Sequence, residues 1–383
     1  MTEHVSNRPP RGAYIHIPFC DHICAYCDFN KFFLKNQPVD HYLDALTQEM
    51  INYSELGPAQ TVYIGGGTPT ALNNRQLERL LDDVCRYFQA DRVKEFTVEA
   101  NPENLTDEKL QLMKDHGVNR LSIGVQTFDD DLLRTIGRAH TAEEARAAVR
   151  RAQQAGFDNL TLDLMFALPG QTETSLRESI ATALELDTPH ISIYSLQVEP
   201  RTIFHNLMKK GELRLPGEDI EADMYGQILF ELEKHGLRHY EISNFARPGY
   251  EGRHNSLYWS NEEYYGIGAG AHGYVQGMRY ANAGPVKKYI DAVAQFGRGR
   301  SSVHEVSEDE RIEEQLFLGL RMMRGVSIDT FARKFGRTLD SVYGDQIADL
   351  KKRGLLVEQD GRVRLTNRGI FLGNDVFEAF LLS

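Results

Sequence analysis

The stretch AYIHIPFCDHICAYC, residues 13–27, decides both the fold and the chemistry that this sequence predicts. Its first half is a short apolar run typical of a buried strand, and Cys20, Cys24 and Cys27 lie on the loop that follows. In a reducing compartment such a tight group of thiols indicates a metal or cluster site and not a disulfide framework. Three thiolates can hold an iron–sulfur cluster and leave one iron of a [4Fe–4S] cube open to a small molecule. The spacing therefore favours a reactive cluster.

Two other interpretations of these thiols are possible. Zinc would need a fourth ligand, such as His16 or His22, and its sites usually have shorter paired spacings. Cysteines of a packed core are disfavoured because aromatic and charged residues crowd this loop. The remaining cysteine, Cys85, lies on a helical stripe with Leu81 and Val84, and we expect it in the core.

Outward from this loop, short apolar runs alternate with segments of helical periodicity up to about residue 196. We predict six strands, at Ala13–Ile17, Thr61–Ile64, Glu95–Glu99, Arg120–Gly124, Asn159–Leu164 and Ile191–Leu196. Helix boundaries support this pattern: Thr141 and Glu144 form a capping box, and Gly117 and Gly156 follow helix ends. Such strand–helix repeats indicate a parallel sheet, which is either a partial barrel or an open doubly wound sheet.

The alternation ends after about residue 200. We predict a tail at 1–11, the strand–helix core at 12–200, an extension of the barrel at 201–300, and a C-terminal domain at 301–383. The last domain combines helices with a hairpin around Asp360-Gly361, which suggests a small winged-helix-like α+β fold. Such a domain can bind nucleic acid or act as a scaffold or lid, and we favour the second role.

Composition and charge limit the classes of function. Of the 383 residues 41% are hydrophobic and 26% are charged, which excludes a mainly disordered chain. Lys plus Arg is 43 and Asp plus Glu is 55, so the net charge is 43 − 55 = −12, and phosphate neutralisation on nucleic acid is disfavoured. The sequence has no run of 18 apolar residues and no apolar core of a signal peptide near Met1, so we expect a cytoplasmic protein without an integral membrane segment.

Further polar groups follow the other predicted strands. A glycine-rich turn, residues 65–70, comes directly after the second strand, and its backbone can approach a ligand closely. Glu99, Gln126, Arg138 and Asp163 lie at or after the ends of the third to fifth strands. Because the carboxyl ends of parallel strands meet at one rim, we expect these side chains to converge on one mouth.

The motif Cys-x-x-x-Cys-x-aromatic-Cys, with Tyr26 at the aromatic position, resembles that of the radical S-adenosylmethionine (SAM) superfamily. The resemblance implies a partial (β/α)6 TIM-like barrel in which SAM binds the open iron of a [4Fe–4S] cluster held by Cys20, Cys24 and Cys27. Residues 12 to about 370 resemble the branch that contains oxygen-independent coproporphyrinogen dehydrogenases and heme chaperones. This resemblance implies SAM-binding roles for Tyr14, Tyr26, Gly66, Gly67, Thr68, Glu99, Gln126, Arg138, Asp163 and Gln197.

The two kinds of protein in this branch differ in features that the sequence contains. The dehydrogenases have a fourth cysteine two residues after the third and a longer N-terminal segment, whereas here Cys27 is followed by DFN and only 19 residues precede Cys20. Residues 254–259, HNSLYW, resemble the His-Asn-x-x-Tyr-Trp motif of the chaperones, which implies heme contact by His254, Asn255, Tyr258 and Trp259. Imidazole is a common heme ligand and aromatic rings pack on porphyrins. The simpler alternative is that His254 and Trp259 pack a domain junction.

His272, in a glycine-rich run, is a second candidate for heme contact. We therefore predict a heme chaperone that binds a [4Fe–4S] cluster, SAM and heme and delivers heme to acceptor proteins, with SAM cleavage acting as a gate for transfer. The alternative is an enzyme that decarboxylates coproporphyrinogen III in porphyrin biosynthesis. An electron donor for the cluster and a homodimer are further partners that the resemblance implies.

Overall fold

The computed structural model describes residues 9–381, so part of the predicted tail (1–8) and the last two residues of the predicted C-terminal domain (382–383) lie outside the described residues. The strands are β1 (Gly12–Ile17), β2 (Phe19–Cys20), β3 (Phe32–Phe33), β4 (Thr61–Gly66), β5 (Glu95–Ala100), β6 (Arg120–Gln126), β7 (Leu160–Phe166), β8 (His190–Ser195), β9 (Arg238–Glu241), β10 (Asn244–Ala246), β11 (Tyr264–Ile267), β12 (His272–Val275), β13 (Met278–Asn282), β14 (Arg300–Glu305), β15 (Val326–Ser327), β16 (Leu356–Gln359) and β17 (Arg362–Leu365).

The helices are α1 (Val39–Ser54), α2 (Asn74–Phe88), α3 (Asp107–Asp115), α4 (Asp130–Ile136), α5 (Ala142–Gln154), α6 (Glu173–Glu185), α7 (Ile203–Lys209), α8 (Glu218–Lys234), α9 (Arg253–Trp259), α10 (Val286–Phe296), α11 (Glu308–Gly319), α12 (Ile328–Phe335), α13 (Leu339–Lys352), α14 (Asn367–Phe371) and α15 (Gly373–Glu378). None of the helices in this described part of the chain is both long and apolar enough to cross a membrane.

The six predicted strands are confirmed as β1, β4, β5, β6, β7 and β8, which pair in this order and in parallel. β1 and β8 do not close a barrel on each other, because β1 pairs with β11 and β8 pairs with β10. The partial barrel thus continues on both sides into a twelve-stranded sheet, with β11–β14 beyond one edge and β10 and β9 beyond the other. The extension residues therefore cover both edges that an open barrel would expose.

Helices pack on the outer face of this sheet and form one large apolar core with it. The capping box of Thr141 and Glu144 at the start of α5 is confirmed, and Gly117 and Gly156 follow α3 and α5 with positive φ angles. These end signals fix where the helices between the strands start and stop. Because the six strands pair in parallel, all of them direct their carboxyl ends to one rim.

A second, smaller apolar core lies in the C-terminal part of the chain, from Ile312 to Phe380. It contains α11–α15 and a three-stranded sheet in the order β15-β17-β16. The hairpin predicted at Asp360-Gly361 joins β16 to β17, and both turn residues have positive φ angles, as a tight two-residue turn requires. The proposed domain boundary at residue 301 falls within β14, which pairs with β13 of the large sheet.

Candidate functional site

A cavity of about 390 Å³ opens at the carboxyl ends of the barrel strands and extends into the barrel. Its volume lies in the usual range for a small-molecule site. The cysteine loop and the strand ends both line this cavity, so the side chains that we expected to converge at one rim do so. The predicted site residues that line the cavity are Cys20, Cys24, Tyr26, Cys27, Gly66, Gly67, Thr68, Glu99, Gln126, Arg138, Asp163, Gln197 and Asn255.

The three thiols of the loop lie at the cavity wall, and all three are free. The loop is held by backbone hydrogen bonds from Ala25 to the carbonyl of Ile136 and from Leu34 to that of Cys20. Burial raises the pKa of Cys20 to about 11 and also raises that of Cys27, so both thiols are proton-bearing until a metal displaces the proton.

The donor set fits a cluster better than a single zinc ion. Nowhere in residues 9–381 do three His, Cys, Asp or Glu side chains converge closely enough to hold one ion. His16 is also not available as a zinc ligand, because its Nδ1 is hydrogen-bonded to the Tyr14 hydroxyl at 2.9 Å and its Nε2 to the carbonyl of Asn30 at 2.7 Å. A cluster spreads its thiolates over several irons, so it matches three separated sulfurs on one cavity wall.

Hydrogen-bond donors point at two of these sulfurs. The Thr68 hydroxyl lies 3.6 Å from Cys20 Sγ, and Arg138 Nη1 lies 3.4 Å from Cys24 Sγ. Asn101 lies between the two donors and bonds to both of them. Asn101 is not among the predicted site residues, although its place directly after β5 is a sequence signal of the same kind as those of Gln126 and Glu99.

The glycine-rich turn gains its shape from close contacts that only glycine allows. Gly66 has a φ of +109°, and a Cβ there would lie 2.3 Å from the His16 ring. A Cβ on Gly67 would lie 2.8 Å from the carbonyl oxygen of Phe19. Both residues line the cavity, so the backbone forms part of the wall and a ligand can approach it closely.

Two carboxyl groups, Glu99 and Asp163, face the cavity from β5 and β7. Glu99 accepts hydrogen bonds from the Tyr63 hydroxyl at 2.7 Å and from the Gly66 N–H at 3.0 Å, and burial raises its pKa. Burial also raises the pKa of Asp163, to about 7, against the opposing effect of a 2.8 Å hydrogen bond from Ser122. These groups can accept hydrogen bonds from sugar hydroxyls, and the protonation of Asp163 changes near neutral pH.

The cavity also reaches the amino ends of the strands, which the sequence analysis did not predict. Its floor is lined by Glu95, Arg120, Thr161, Gly252 and Asn255. The alternation within β6 and β7 could have indicated part of this surface, since Arg120 and Ser122 share one face of β6, as do Thr161 and Asp163 on β7. Polar side chains therefore replace the bulky aliphatic residues that usually fill a barrel.

The histidine of the predicted heme motif lies below this floor, not at the mouth. His254 is 1% exposed, and its Nδ1 lies 2.9 Å from Thr61 Oγ1 while its Nε2 lies 2.7 Å from the Tyr258 hydroxyl. Burial lowers its pKa to about 3, so the ring is neutral. Heme contact by His254 or Tyr258 would require these hydrogen bonds to rearrange, because the two side chains are bonded to each other and His254 is also bonded to Thr61 of β4.

The other members of the motif take separate positions. Asn255 lines the cavity floor, whereas Trp259 packs under the guanidinium of Arg321, which lies 4.5 Å from the ring centre. The backbone of α9 is anchored by the carboxylate of Glu95, which accepts from the N–H groups of Arg253 and His254. The motif therefore closes the amino end of the barrel and contacts the C-terminal domain.

Two further residues differ from the prediction in their placement. Tyr14 does not line the cavity, because its hydroxyl is bound to His16 behind the glycine-rich turn. His272 is exposed at the start of β12, and no hydrogen bond of its ring is found among the described residues. It lies near the cysteine loop, since the Asn30 side chain of that loop reaches the neighbouring Gly270 and donates to the carbonyl of Ala269.

Comparisons with known proteins agree with this geometry. Residues 14–183 match the model of the Radical SAM superfamily, and residues 306–372 match the HemN C-terminal domain. The chain is 53% identical to a heme chaperone HemW of Bacillus subtilis, over 97% of this chain and 99% of the relative, and 48% identical to one of Lactococcus lactis, over 97% and 98%. A HemW of Escherichia coli is 33% identical over 97% of this chain and 98% of its own.

Among solved structures, coproporphyrinogen III oxidase (HemN) from Escherichia coli superposes with a TM-score of 0.85. The match covers 98% of this chain and 91% of that chain at 24% identity. At this identity the likeness concerns the fold alone, and it agrees with the partial barrel and the added C-terminal domain.

Proposed function

Because the chain belongs to the radical SAM superfamily and, within it, to the heme chaperones called HemW, we propose that it binds a [4Fe–4S] cluster, SAM and heme and passes heme to acceptor proteins. The observation that carries this proposal is the single cavity that joins three free thiols to the polar strand ends. A cytoplasmic location, a homodimer and an external electron donor for the cluster are parts of the same proposal.

We assign the cluster to Cys20, Cys24 and Cys27. With one thiolate on each of three irons, the fourth iron would face the cavity and remain open to SAM. A cluster bound there would supply the electron for SAM cleavage. The chain itself contributes the hydrogen-bond donors Thr68 and Arg138 beside the thiolates.

We assign SAM to the strand ends that line the same cavity. The backbone of the glycine-rich turn, with Glu99 and Asp163, can bind the amino group and the ribose hydroxyls, and Arg138 can hold the carboxylate of the methionine part. The remaining wall residues assigned to SAM are Tyr26, Thr68, Gln126 and Gln197. Tyr14 acts indirectly in this assignment, by holding His16 beneath Gly66.

We assign His272, in preference to His254, as the ligand of the heme iron. The His272 ring is exposed, whereas both nitrogens of His254 already have partners and its ring is enclosed. Two exposed aromatic side chains, Phe29 on the cysteine loop and Phe33 on β3 directly after it, offer apolar surface for a porphyrin face near the same rim. Asn255 and Trp259 remain assigned to the barrel floor and the domain junction.

The test is anaerobic reconstitution of the full chain followed by three parallel measurements. We expect four irons and four sulfides per chain, stoichiometric heme binding, and transfer of heme to an added apo-hemoprotein. A His272→Ala variant should bind heme more weakly with unchanged cluster absorbance, and His304→Ala, which changes another exposed histidine, is the matched control.

The coproporphyrinogen decarboxylase alternative is tested in the same preparation. Formation of protoporphyrinogen from coproporphyrinogen III with no heme binding would overturn the chaperone proposal and favour the enzyme. Loss of heme binding in His304→Ala but not in His272→Ala would overturn the assignment of the iron ligand and leave the rest of the proposal standing.

A further inference from the structure

Two of the three thiols assigned to the cluster are connected by a continuous chain of hydrogen bonds. Thr68 Oγ1 donates to Cys20 Sγ at 3.6 Å and accepts from Asn101 Nδ2 at 3.1 Å. Asn101 Oδ1 accepts from Arg138 Nη2 at 2.8 Å, and Arg138 Nη1 donates to Cys24 Sγ at 3.4 Å. The path from one sulfur to the other therefore runs through three side chains from three different segments of the chain.

The donor and acceptor chemistry gives every link in this path one direction. The amide nitrogen of Asn101 can only donate and its oxygen can only accept, and the guanidinium of Arg138 can only donate. Since the Thr68 hydroxyl accepts from Asn101, its own hydrogen is directed to Cys20. Both ends of the path thus point a hydrogen at a sulfur, and Asn101 at the centre sets the direction of both.

The surroundings strengthen these contacts and hold them in place. Thr68 is 3% exposed and Cys20 is 8% exposed, so water does not compete for the hydrogen bond between them. Arg138 Nη2 also donates to the carbonyl of Gly124 at 2.6 Å, which fixes the plane of its guanidinium. The path is therefore a rigid part of the cavity wall.

We propose that Asn101 is a positioning residue that holds Thr68 and Arg138 against Cys20 and Cys24 and so makes the cluster easier to reduce. If an external one-electron donor reduced a cluster held here, the added negative charge would spread onto its sulfurs. Hydrogen bonds and a cation beside those sulfurs stabilise the reduced form more than the oxidised form. The inference rests on the proposed cluster, and its test separates the two.

The test compares midpoint potentials of reconstituted full-length variants, without SAM, in anaerobic redox titrations followed by electron paramagnetic resonance. Thr68→Val removes the hydroxyl and keeps the shape of the side chain, whereas Thr68→Ser keeps the hydroxyl. Asn101→Ala breaks the centre of the path. Asn104→Ala is the matched control, because its amide reaches the same loop at Asp21 but no sulfur.

We expect Thr68→Val and Asn101→Ala to shift the potential to more negative values while Thr68→Ser and Asn104→Ala stay near the wild type. Only the difference in hydrogen-bond strength between the reduced and oxidised forms shifts the potential, so loss of one hydrogen bond changes the reduction equilibrium by up to about tenfold, or about 59 mV for one electron. Failure of Thr68→Val and Asn101→Ala alone to retain iron and sulfide would overturn the proposed effect on the potential, because the path would then serve to retain the cluster.

Equal potentials in all five proteins, with full iron and sulfide content, would overturn this inference and leave the proposed function intact. A shift in Thr68→Ser as large as that in Thr68→Val would also overturn it, because the hydroxyl would then have no part in the effect. A wild-type chain that holds no iron–sulfur cluster would instead overturn the proposed function itself.

Discussion

Replacing His254 with Ala should destabilise the folded chain and leave heme binding intact. The ring is enclosed at the floor of the barrel, where it joins the Thr61 hydroxyl on β4 to the Tyr258 hydroxyl on α9. The substitution leaves both hydroxyls without a partner in a site that water reaches poorly. Each such group costs about 1–3 kcal/mol, so the expected loss in the free energy of unfolding is about 2–6 kcal/mol.

This loss is large because natural domains are stable by only about 5–15 kcal/mol. The anchoring of α9 to Glu95 should survive, since it uses backbone N–H groups that Ala retains. Urea unfolding followed by the fluorescence of Trp259, the only tryptophan in the chain, reports on this helix directly. His272→Ala is the matched control, and its free energy of unfolding should change by less than about 0.5 kcal/mol because the side chain is exposed.

The reasoning would be refuted by a His254→Ala protein that unfolds at the wild-type urea concentration but no longer binds heme. That result would mean that His254 leaves its partners to coordinate the iron. Unchanged stability together with unchanged heme affinity would also contradict it, because the two orphaned hydroxyls would then have no cost.

The burial of His254 adds a dependence of stability on pH. Its pKa in the folded chain is lowered to about 3, below the usual value of 6.5, so the unfolded chain takes up a proton at a higher pH than the folded chain does. The contribution of the neutral ring is fully present above about pH 6.5 and is lost as the pH falls toward 3. Each pH unit in this window removes about 1.4 kcal/mol. The unfolding free energy of His254→Gln should fall less steeply between pH 6.5 and 5; equal slopes would contradict the assignment.

Three further predictions concern the cavity. Cys27→Ser should abolish the visible absorbance of the reconstituted cluster, while Cys85→Ser should keep it because Cys85 bonds to the His116 carbonyl on the outer face; equal absorbance would refute the ligand assignment. Gly67→Ala should weaken SAM binding in calorimetry and destabilise the chain by about 1–3 kcal/mol, since its Cβ would lie 2.8 Å from a backbone oxygen, whereas Gly217→Ala, which has open space around it at the N-cap of α8, should leave SAM affinity unchanged. SAM affinity should fall by up to tenfold per pH unit below about 7, as Asp163 becomes protonated, and Asp163→Asn should remove this dependence; a variant that keeps the wild-type profile would exclude Asp163.

The sequence predicted the features that depend on local spacing. Short runs of four to six residues located all six barrel strands, and Thr141 with Glu144 located a helix start. The cysteine spacing and the polar residues predicted at strand ends indicated the cavity wall, because parallel strands bring their carboxyl ends to one rim; Asp163 lines the same cavity from the middle of β7, where the prediction had placed it at the strand end. These signals involve residues close in the chain, or a rule of topology that holds for the whole fold class.

Features built by contacts between distant segments were not predictable in the same way. The sequence motif predicted that His254 contacts heme. The position of His254 under the barrel follows instead from contacts with Thr61 and Glu95, which lie more than 150 residues earlier in the chain. Asn101 between Thr68 and Arg138 is another such feature. The place of Asn101 just after a strand end could mark it as a candidate, but its partners, like those of His254, are set by how separate strands and helices pack together.

The order of amino acids by itself determined the strands, the cysteine loop and the family of the chain. Local periodicity and a dense motif can be recognised from neighbouring residues, without knowing how the elements pack. Only the tertiary structure decided which polar groups face the cavity and which are hydrogen-bonded to one another. A hydrogen bond needs two partners at about 3 Å, and for residues far apart in the chain that distance is set by the packing of whole elements, not by the sequence around either partner.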